Sequence, residues 1–142
     1  DCYIVTARGT KNDQSMISKF LKMHKIKIPE ENIIPWGSSE KGEAVYQLIE
    51  RHSPLKAFFY DDGPRNIAHV KATCCGKFAN TELHLTKYQR GVGANIGEVE
   101  YSESCKGDGT LIESTKIVTD TGIQFTITEF IDRLNKLKVL FN

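Results

Sequence analysis

The sequence predicts an α/β fold: a doubly wound parallel sheet, followed by a β-rich appendage and a closing helix. Three observations carry the prediction. Short apolar runs alternate with helix-periodic stretches through the first half of the 142 residues. One of those runs, Ala57-Phe58-Phe59-Tyr60, ends directly in the acid pair Asp61-Asp62 and a Gly-Pro turn. Beyond Lys71 the texture changes to polar and apolar alternation punctuated by glycines.

Taken in order, Cys2-Tyr3-Ile4-Val5 is a short β-favouring run that ends in Thr6-Ala7-Arg8-Gly9, so a hydroxyl and a guanidinium stand at a strand's end. Gly9 gives the turn and Asn12-Asp13 a helix N-cap. From Gln14 to His24, Ile17, Phe20 and Leu21 recur at helical spacing, with Met16 beside them, while Lys19, Lys22 and Lys25 face outward. Pro29 disfavours helix in the residue before it, Glu30 to Asn32 form a turn, and Ile33-Ile34 with Trp36 make a brief extended segment. Ser38-Ser39 cap a second helix that turns Ala44, Val45, Leu48 and Ile49 inward, with Lys41 in its first turn, where the helix dipole disfavours a cation.

Ser53-Pro54 breaks that helix. The run from Ala57 to Tyr60 has no polar alternation and reads as a strand buried on both faces. Pro64 suits the first position of a helix that carries Ile67 and Val70 inward. The alternation of strand and helix is that of a doubly wound sheet with right-handed crossovers. It would bring Asp61 and Asp62 to the carboxyl edge of the sheet, where open α/β folds bind ligands.

Thr81 to Thr86 alternates as a half-buried strand does. The glycines of Gly91-Val92-Gly93-Ala94-Asn95-Ile96-Gly97 lack the strand-turn-helix setting of a dinucleotide fingerprint and read as a loop. Glu98 to Ser102 and Leu111 to Thr119 are strands joined by the turn Lys106-Gly107-Asp108-Gly109, and Ile123 to Phe125 is a further short strand. Thr126 to Glu129 fits a capping box, and Ile127, Phe130, Ile131, Leu134, Leu137 and Phe141 form a helical stripe. Residues 1–90 thus make the α/β core and residues 91–142 a hairpin appendage with a C-terminal helix, packed on the same domain.

Composition bounds the function. With 39% hydrophobic and 26% charged residues, disordered and fibrous classes are excluded. Nineteen Lys and Arg balance eighteen Asp and Glu for a net charge of +1, which gives no general support to a nucleic-acid partner and leaves room only for a local basic patch. No apolar run approaches the ~20 residues that span a bilayer, and no secretory signal opens the sequence, so a soluble, cytoplasmic or otherwise intracellular protein is expected. The cysteines Cys2, Cys74, Cys75 and Cys105 show no CxxC spacing, so reduced, buried thiols are favoured over zinc or disulfides. The four histidines show no metal-ligand spacing.

Thr6, Lys41 and the acids Asp61-Asp62 form a coherent chemical set, each delivered to one edge of one sheet. Two carboxylates suit Mg²⁺, which keeps waters and substrate phosphate alongside one or two protein oxygens. A hydroxyl and an ammonium can hold a phosphoryl group while charge develops in transfer. Plain alternatives stand beside this: Thr6 and Arg8 as strand-end caps, Arg8 as a salt-bridge partner of Asp61 or Asp62, and Lys41 as a surface lysine with Lys11 or Lys56 nearer an anion.

In this order the residues resemble the haloacid dehalogenase-like (HAD) phosphatase superfamily. Tyr3 to Arg8 is similar to its second motif, a strand ending in Thr or Ser; Lys41 to the third; Phe58 to Asp62 to the fourth, whose acids bind magnesium. The run Asp61 to Ile67 looks like the phosphatase domains of nucleic-acid end-repair enzymes, whose second motif also carries an arginine. The resemblance covers roughly Cys2 to Lys71. It implies a Rossmann-like core, phosphate held by Thr6, Arg8 and Lys41, and Mg²⁺ on Asp61 and Asp62. The superfamily's first motif, a strand ending in Asp-x-Asp that supplies the nucleophile, has no counterpart here, since only Asp1 stands before the second motif. Gly107-Asp108-Gly109-Thr110 imitates part of it but reads as a hairpin turn. No catalytic nucleophile is therefore identified, and the core is expected to lack its first strand.

Three expectations follow. With an upstream nucleophile segment or another chain supplying the aspartate, the protein is a Mg²⁺-dependent phosphomonoesterase acting on a phosphorylated small molecule or a nucleic-acid end. Without it, the chain is an inactive domain retained for assembly with other protein chains, as in a viral particle or another large complex. The weaker third is a phosphate-binding module without turnover.

Overall fold

The computed structural model describes residues 1–91, 97–110, 116–118 and 124–126. Strand β1 (Ile4–Thr6) leads into helix α1 (Lys11–Met23), a 3-10 turn at Glu30–Asn32 and strand β2 (Ile33–Pro35). Helix α2 (Gly42–His52), strand β3 (Lys56–Asp61) and helix α3 (Pro64–Cys74) follow, then strands β4 (Glu82–Gln89), β5 (Glu98–Cys105), β6 (Lys116–Val118) and β7 (Gln124–Thr126). The result is a small mixed α/β protein whose sheets include parallel strands.

Those parallel strands lie in two pieces instead of one continuous sheet. β1 pairs with β2 in parallel, Ile4 opposite Ile33. β3 pairs with β4 in parallel, Lys56 opposite Glu82 and Asp61 opposite Lys87, and β4 pairs with β5 antiparallel with a register shift at Lys87/Tyr88. β6 and β7 form a separate antiparallel pair. β1 and β3 each have one neighbour, so each keeps an edge whose amides and carbonyls join no strand among the described residues.

One core joins the second piece to its helices. Val45 and Ile49 of α2, Ile67 and Val70 of α3, and Leu83 and Leu85 of β4 are buried together, and Tyr46 rests on Phe78 with ring centroids 4.7 Å apart. The inward residues read from the sequence for α2 and α3 are those that pack: Ala44, Val45, Ile49, Ile67 and Val70 are buried and Leu48 is half-buried. Gly42 is buried where α2 crosses α3, and a Cβ there would collide with His69 and Thr73.

Several expectations are corrected. α1 is capped by Thr10, not by Asn12-Asp13: the Thr10 hydroxyl accepts from the Asp13 amide at 3.1 Å and the Asp13 carboxylate accepts from the Thr10 amide at 3.3 Å, a reciprocal box. Phe20 is exposed: α1 lies against β2, and the residues it buries are Ser18 and Leu21. Lys41, not Ser38-Ser39, is the N-cap of α2. β3 is buried on one face only, with Phe58 58% and Tyr60 62% exposed on the other. The thiol expectation fails for one pair: Cys75, just past α3, and Cys105, at the end of β5, form a disulfide with Cα atoms 5.9 Å apart. A separation of 30 residues hid a contact that the antiparallel return of β5 creates. Cys74 stays free and buried, Cys2 free and exposed.

Of the appendage strands, β6 sits within its expected stretch, β5 runs three residues past Ser102 to Cys105 and β7 ends one residue past Phe125 at Thr126, and the Lys106–Gly109 turn closes with the Gly109 amide donating to the Lys106 carbonyl at 3.0 Å. Thr126, the first residue of the expected C-terminal capping box, ends β7; the rest of the box, the stripe from Ile127 to Phe141 and the centre of the glycine loop lie outside the described residues. No helix among the described residues is long and apolar enough to cross a membrane.

Candidate functional site

Asp61 is the last residue of β3 and the most enclosed acid of the site, 5% exposed. The chain turns after it because Gly63 takes an extended N-cap conformation and Pro64 opens α3, as the sequence predicts. This turn aims donors back at the carboxylate. Oδ1 accepts from the Gly63 amide at 2.8 Å and from Asn66 Nδ2 at 2.9 Å, and Oδ2 accepts from Lys41 Nζ at 2.8 Å. Burial pushes the Asp61 carboxyl up, but the hydrogen bonds from Lys41, Gly63 and Asn66, with the Lys41 charge, outweigh it and hold it below the ordinary carboxylate value.

Lys41 reaches this acid from the start of α2, its side chain 14% exposed. A cation there opposes the helix dipole, and the adjacent buried carboxylate offsets that cost. Asp62 is half-buried and its Oδ2 is ion-paired with Arg90 Nε, just past the end of β4. Parallel pairing of β3 with β4 brings the carboxyl ends of both strands to one edge, which is how Arg90 arrives. Lys41, Asp61, Asp62 and Arg90 line the edge of a cavity of about 910 Å³ that runs back between β1 and β3.

The expected phosphate-binding and metal-binding residues divide. Lys41, Asp61 and Asp62 come together. Thr6 and Arg8 do not line the cavity. The Thr6 hydroxyl accepts from the Arg8 amide at 3.1 Å, so the strand-end capping role is the one it fills, and the Arg8 guanidinium has no ion pair or hydrogen bond among the described residues. The alternative pairing of Arg8 with the acids is overturned, since Lys41 holds Asp61 and Arg90 holds Asp62. Lys56 lines the cavity but lies 3.8 Å from Glu82, and Lys11 is not in the lining.

Sequence reading gave Arg90 no role and Asn66 only that of a helix-surface or capping residue. A residue five past a strand-end acid, in the first turn of the next helix, is placed to donate back to that acid, so Asn66 carried a local signal. Arg90 carried one only through the β3–β4 register. The histidines serve the framework: His69 Nδ1 accepts from the Gly42 amide at 3.0 Å, and His52 Nε2 meets the Tyr3 hydroxyl at 2.5 Å. Burial, reinforced by the Glu43 carboxylate, pushes the Cys74 thiol up to about 12, leaving it protonated and unreactive.

The fit of a divalent cation follows from lone pairs. Three donors occupy Asp61, which has about four acceptor sites as a carboxylate, and one oxygen of Asp62 is engaged by Arg90. One site on Asp61 and the second Asp62 oxygen remain, the one or two protein oxygens that Mg²⁺ takes. No cluster of three or more His, Cys, Asp or Glu with metal-holding geometry occurs among the described residues. No family model, no curated protein and no solved structure matches this chain.

Proposed function

We propose that this chain carries the cation-and-anion half of a HAD-like phosphomonoesterase centre, acting on a nucleotide or a nucleic-acid end once an aspartate nucleophile is supplied from outside residues 1–142. The observation that carries this reading is the 2.8 Å contact between Lys41 and Asp61 at the mouth of a cavity that Asp62 also lines. In this reading Asp61 and Asp62 hold Mg²⁺, which when bound supplies charge neutralisation for a phosphoryl oxygen. Lys41 holds the second negative oxygen of the phosphoryl group, and Gly63 with Asn66 fixes the Asp61 carboxylate so that its orientation survives the arrival of substrate. Thr6 and Arg8 enter only if β1 moves towards the cavity, because neither lines it. The Rossmann-like doubly wound sheet belongs to the same proposal, supported by the parallel pairs β1-β2 and β3-β4 and by the cavity that residues of β1 and β3 both line.

The experiment is hydrolysis of p-nitrophenyl phosphate by the complete gene product in millimolar Mg²⁺, repeated with Asp62→Asn and with chelator. Activity lost in both supports the reading. Activity unaffected by Asp62→Asn, or none in the complete product, overturns it.

A second reading has its own support. Both acids are already ion-paired within the chain, by Lys41 and Arg90. That is the condition of a non-catalytic domain serving as an assembly subunit in a viral particle or another large complex. It predicts no hydrolysis and no heat on titration with Mg²⁺ and inorganic phosphate together.

A further inference from the structure

Helix α1 is held with one side against β2 and the other in water. Leu21 and Ser18 are its buried residues, and Gln14 Nε2 donates to the Glu30 and Ile33 carbonyls, each at 2.9 Å, which pins its rotation. On the side turned from β2, Met16, Phe20 and Met23 stand at i, i+4 and i+7, each more than half exposed. Ile26, three residues past the helix end, is exposed as well. Cations surround this ridge. Residues 8–27 hold six of them, Arg8, Lys11, Lys19, Lys22, Lys25 and Lys27, against the single acid Asp13, a net +5 in a chain of net +1. Asp13 is committed to the Thr10 cap, and none of the six cations has an ion pair among the described residues. The rest of the sequence therefore carries −4, and the positive charge is gathered around one apolar ridge.

We propose that α1 is the docking surface for an anionic lipid bilayer, lying flat on it with Met16, Phe20 and Met23 in the headgroup layer and Lys19, Lys22 and Lys25 among the lipid phosphates and carboxylates. The partner is read from the two features together. A nucleic acid would neutralise the lysines, but its phosphate backbone offers no apolar phase to receive the ridge. An uncharged apolar partner would cover the ridge and strip water from the cations without compensation. An anionic bilayer supplies negative charge above and hydrocarbon below, within the length of one lysine side chain, whose methylenes lie along the apolar boundary while the ammonium stays wet. An acidic protein would need a groove shaped to a convex helix, whereas a fluid bilayer needs none. At 13 residues α1 is far short of the ~20 that span a bilayer, so it rests on the surface and does not cross.

The surface uses neither Lys41 nor the acid pair, and its test reads partitioning instead of hydrolysis, so this proposal and the phosphatase reading fail separately. Sedimentation of the 142-residue chain with vesicles of phosphatidylcholine and phosphatidylserine in equal parts is compared with sedimentation with phosphatidylcholine vesicles alone. The mixed vesicles should carry the chain down and the neutral ones should not. Raising the salt from about 0.15 M to about 1 M should weaken binding, as the screening length falls from about 8 Å to about 3 Å. Lys19→Gln combined with Lys22→Gln should weaken partitioning roughly 25-fold, about fivefold for each charge removed. Phe20→Ser and, separately, Met23→Ser should each weaken it roughly tenfold. Both positions are exposed, and circular dichroism checks that each variant stays folded. Leu55→Ser, at an exposed apolar residue outside α1, should change nothing. Equal sedimentation with both kinds of vesicle, or with neither, would overturn the proposal, as would unchanged partitioning of the Phe20 and Met23 variants. Binding of a single-stranded oligonucleotide that displaces the vesicles and ignores Phe20→Ser would overturn it by assigning the lysines to a nucleic acid. Retention on an acidic amphipathic peptide but not on the vesicles would overturn it in favour of a protein partner.

Discussion

Replacing Lys41 with methionine tests the centre of the site without needing any ligand. The substitution keeps the apolar stem and removes the cation bonded to Asp61, a carboxylate 5% exposed. Removing one partner of a buried pair costs about 3–5 kcal/mol when the remaining charge has no other support. Here two donors stay, the Gly63 amide and Asn66, so the expected loss is about 2–3 kcal/mol at pH 7. For a chain of this length that is a fall in Tm of about 4–12 °C. The loss must also depend on pH. Asp61 has a folded pKa below its unfolded value, so its contribution is full above the unfolded value near 3.9 and is lost as pH falls through the folded one. Protonated Asp61 has no need of the ammonium, so the gap between wild type and Lys41→Met should narrow from pH 7 to pH 3. Urea unfolding at both pH values measures it. A penalty under about 0.5 kcal/mol at pH 7, or one equally large at pH 3, would refute the reading of the pair. The reverse change, Asp61→Asn, should cost less, about 1–2 kcal/mol, because Lys41 borders an open cavity and its ammonium can turn into water.

Other outcomes follow from the framework. Ile67→Ala empties a buried site between α3 and β4 and should cost about 2–5 kcal/mol by urea unfolding, with the midpoint and not the slope changing. Thr10→Ala removes the cap of α1 and should cost about 1 kcal/mol. Reduction of Cys75–Cys105 frees a 30-residue loop and should lower stability by about 3 kcal/mol, while thiol titration of the unreduced, unfolded chain should find only Cys2 and Cys74. In the folded chain iodoacetamide should modify Cys2 and spare Cys74, whose thiol is buried and pushed up to about 12.

What could be read in advance depended on how far apart the causes lie along the chain. The run Asp61-Asp62-Gly63-Pro64 specifies its own turn, because glycine, proline and the strand's end act within four residues, and the structure builds it as expected. The inward faces of α2 and α3 were legible from spacing alone, since a helix packs with whichever stripe is apolar. Phe58 and Tyr60 misled for the same kind of reason. An unbroken apolar run says that a strand could be covered on both faces, and it does not say that the cover is present. Arg90 and the Cys75–Cys105 pair were illegible because each depends on where a later strand returns.

By itself the sequence determined the order of strands and helices, the acid pair at the end of β3 and the lysine at the start of α2, all consequences of local propensity and periodicity. Only the tertiary structure decided that Lys41 closes on Asp61 and Arg90 on Asp62, that Thr6 and Arg8 stay outside the cavity, and that β1 and β3 lie in separate sheets among the described residues while lining one cavity. The physical reason is that backbone pairing and ion pairing are satisfied by whatever partner the fold delivers, and chain order does not name that partner.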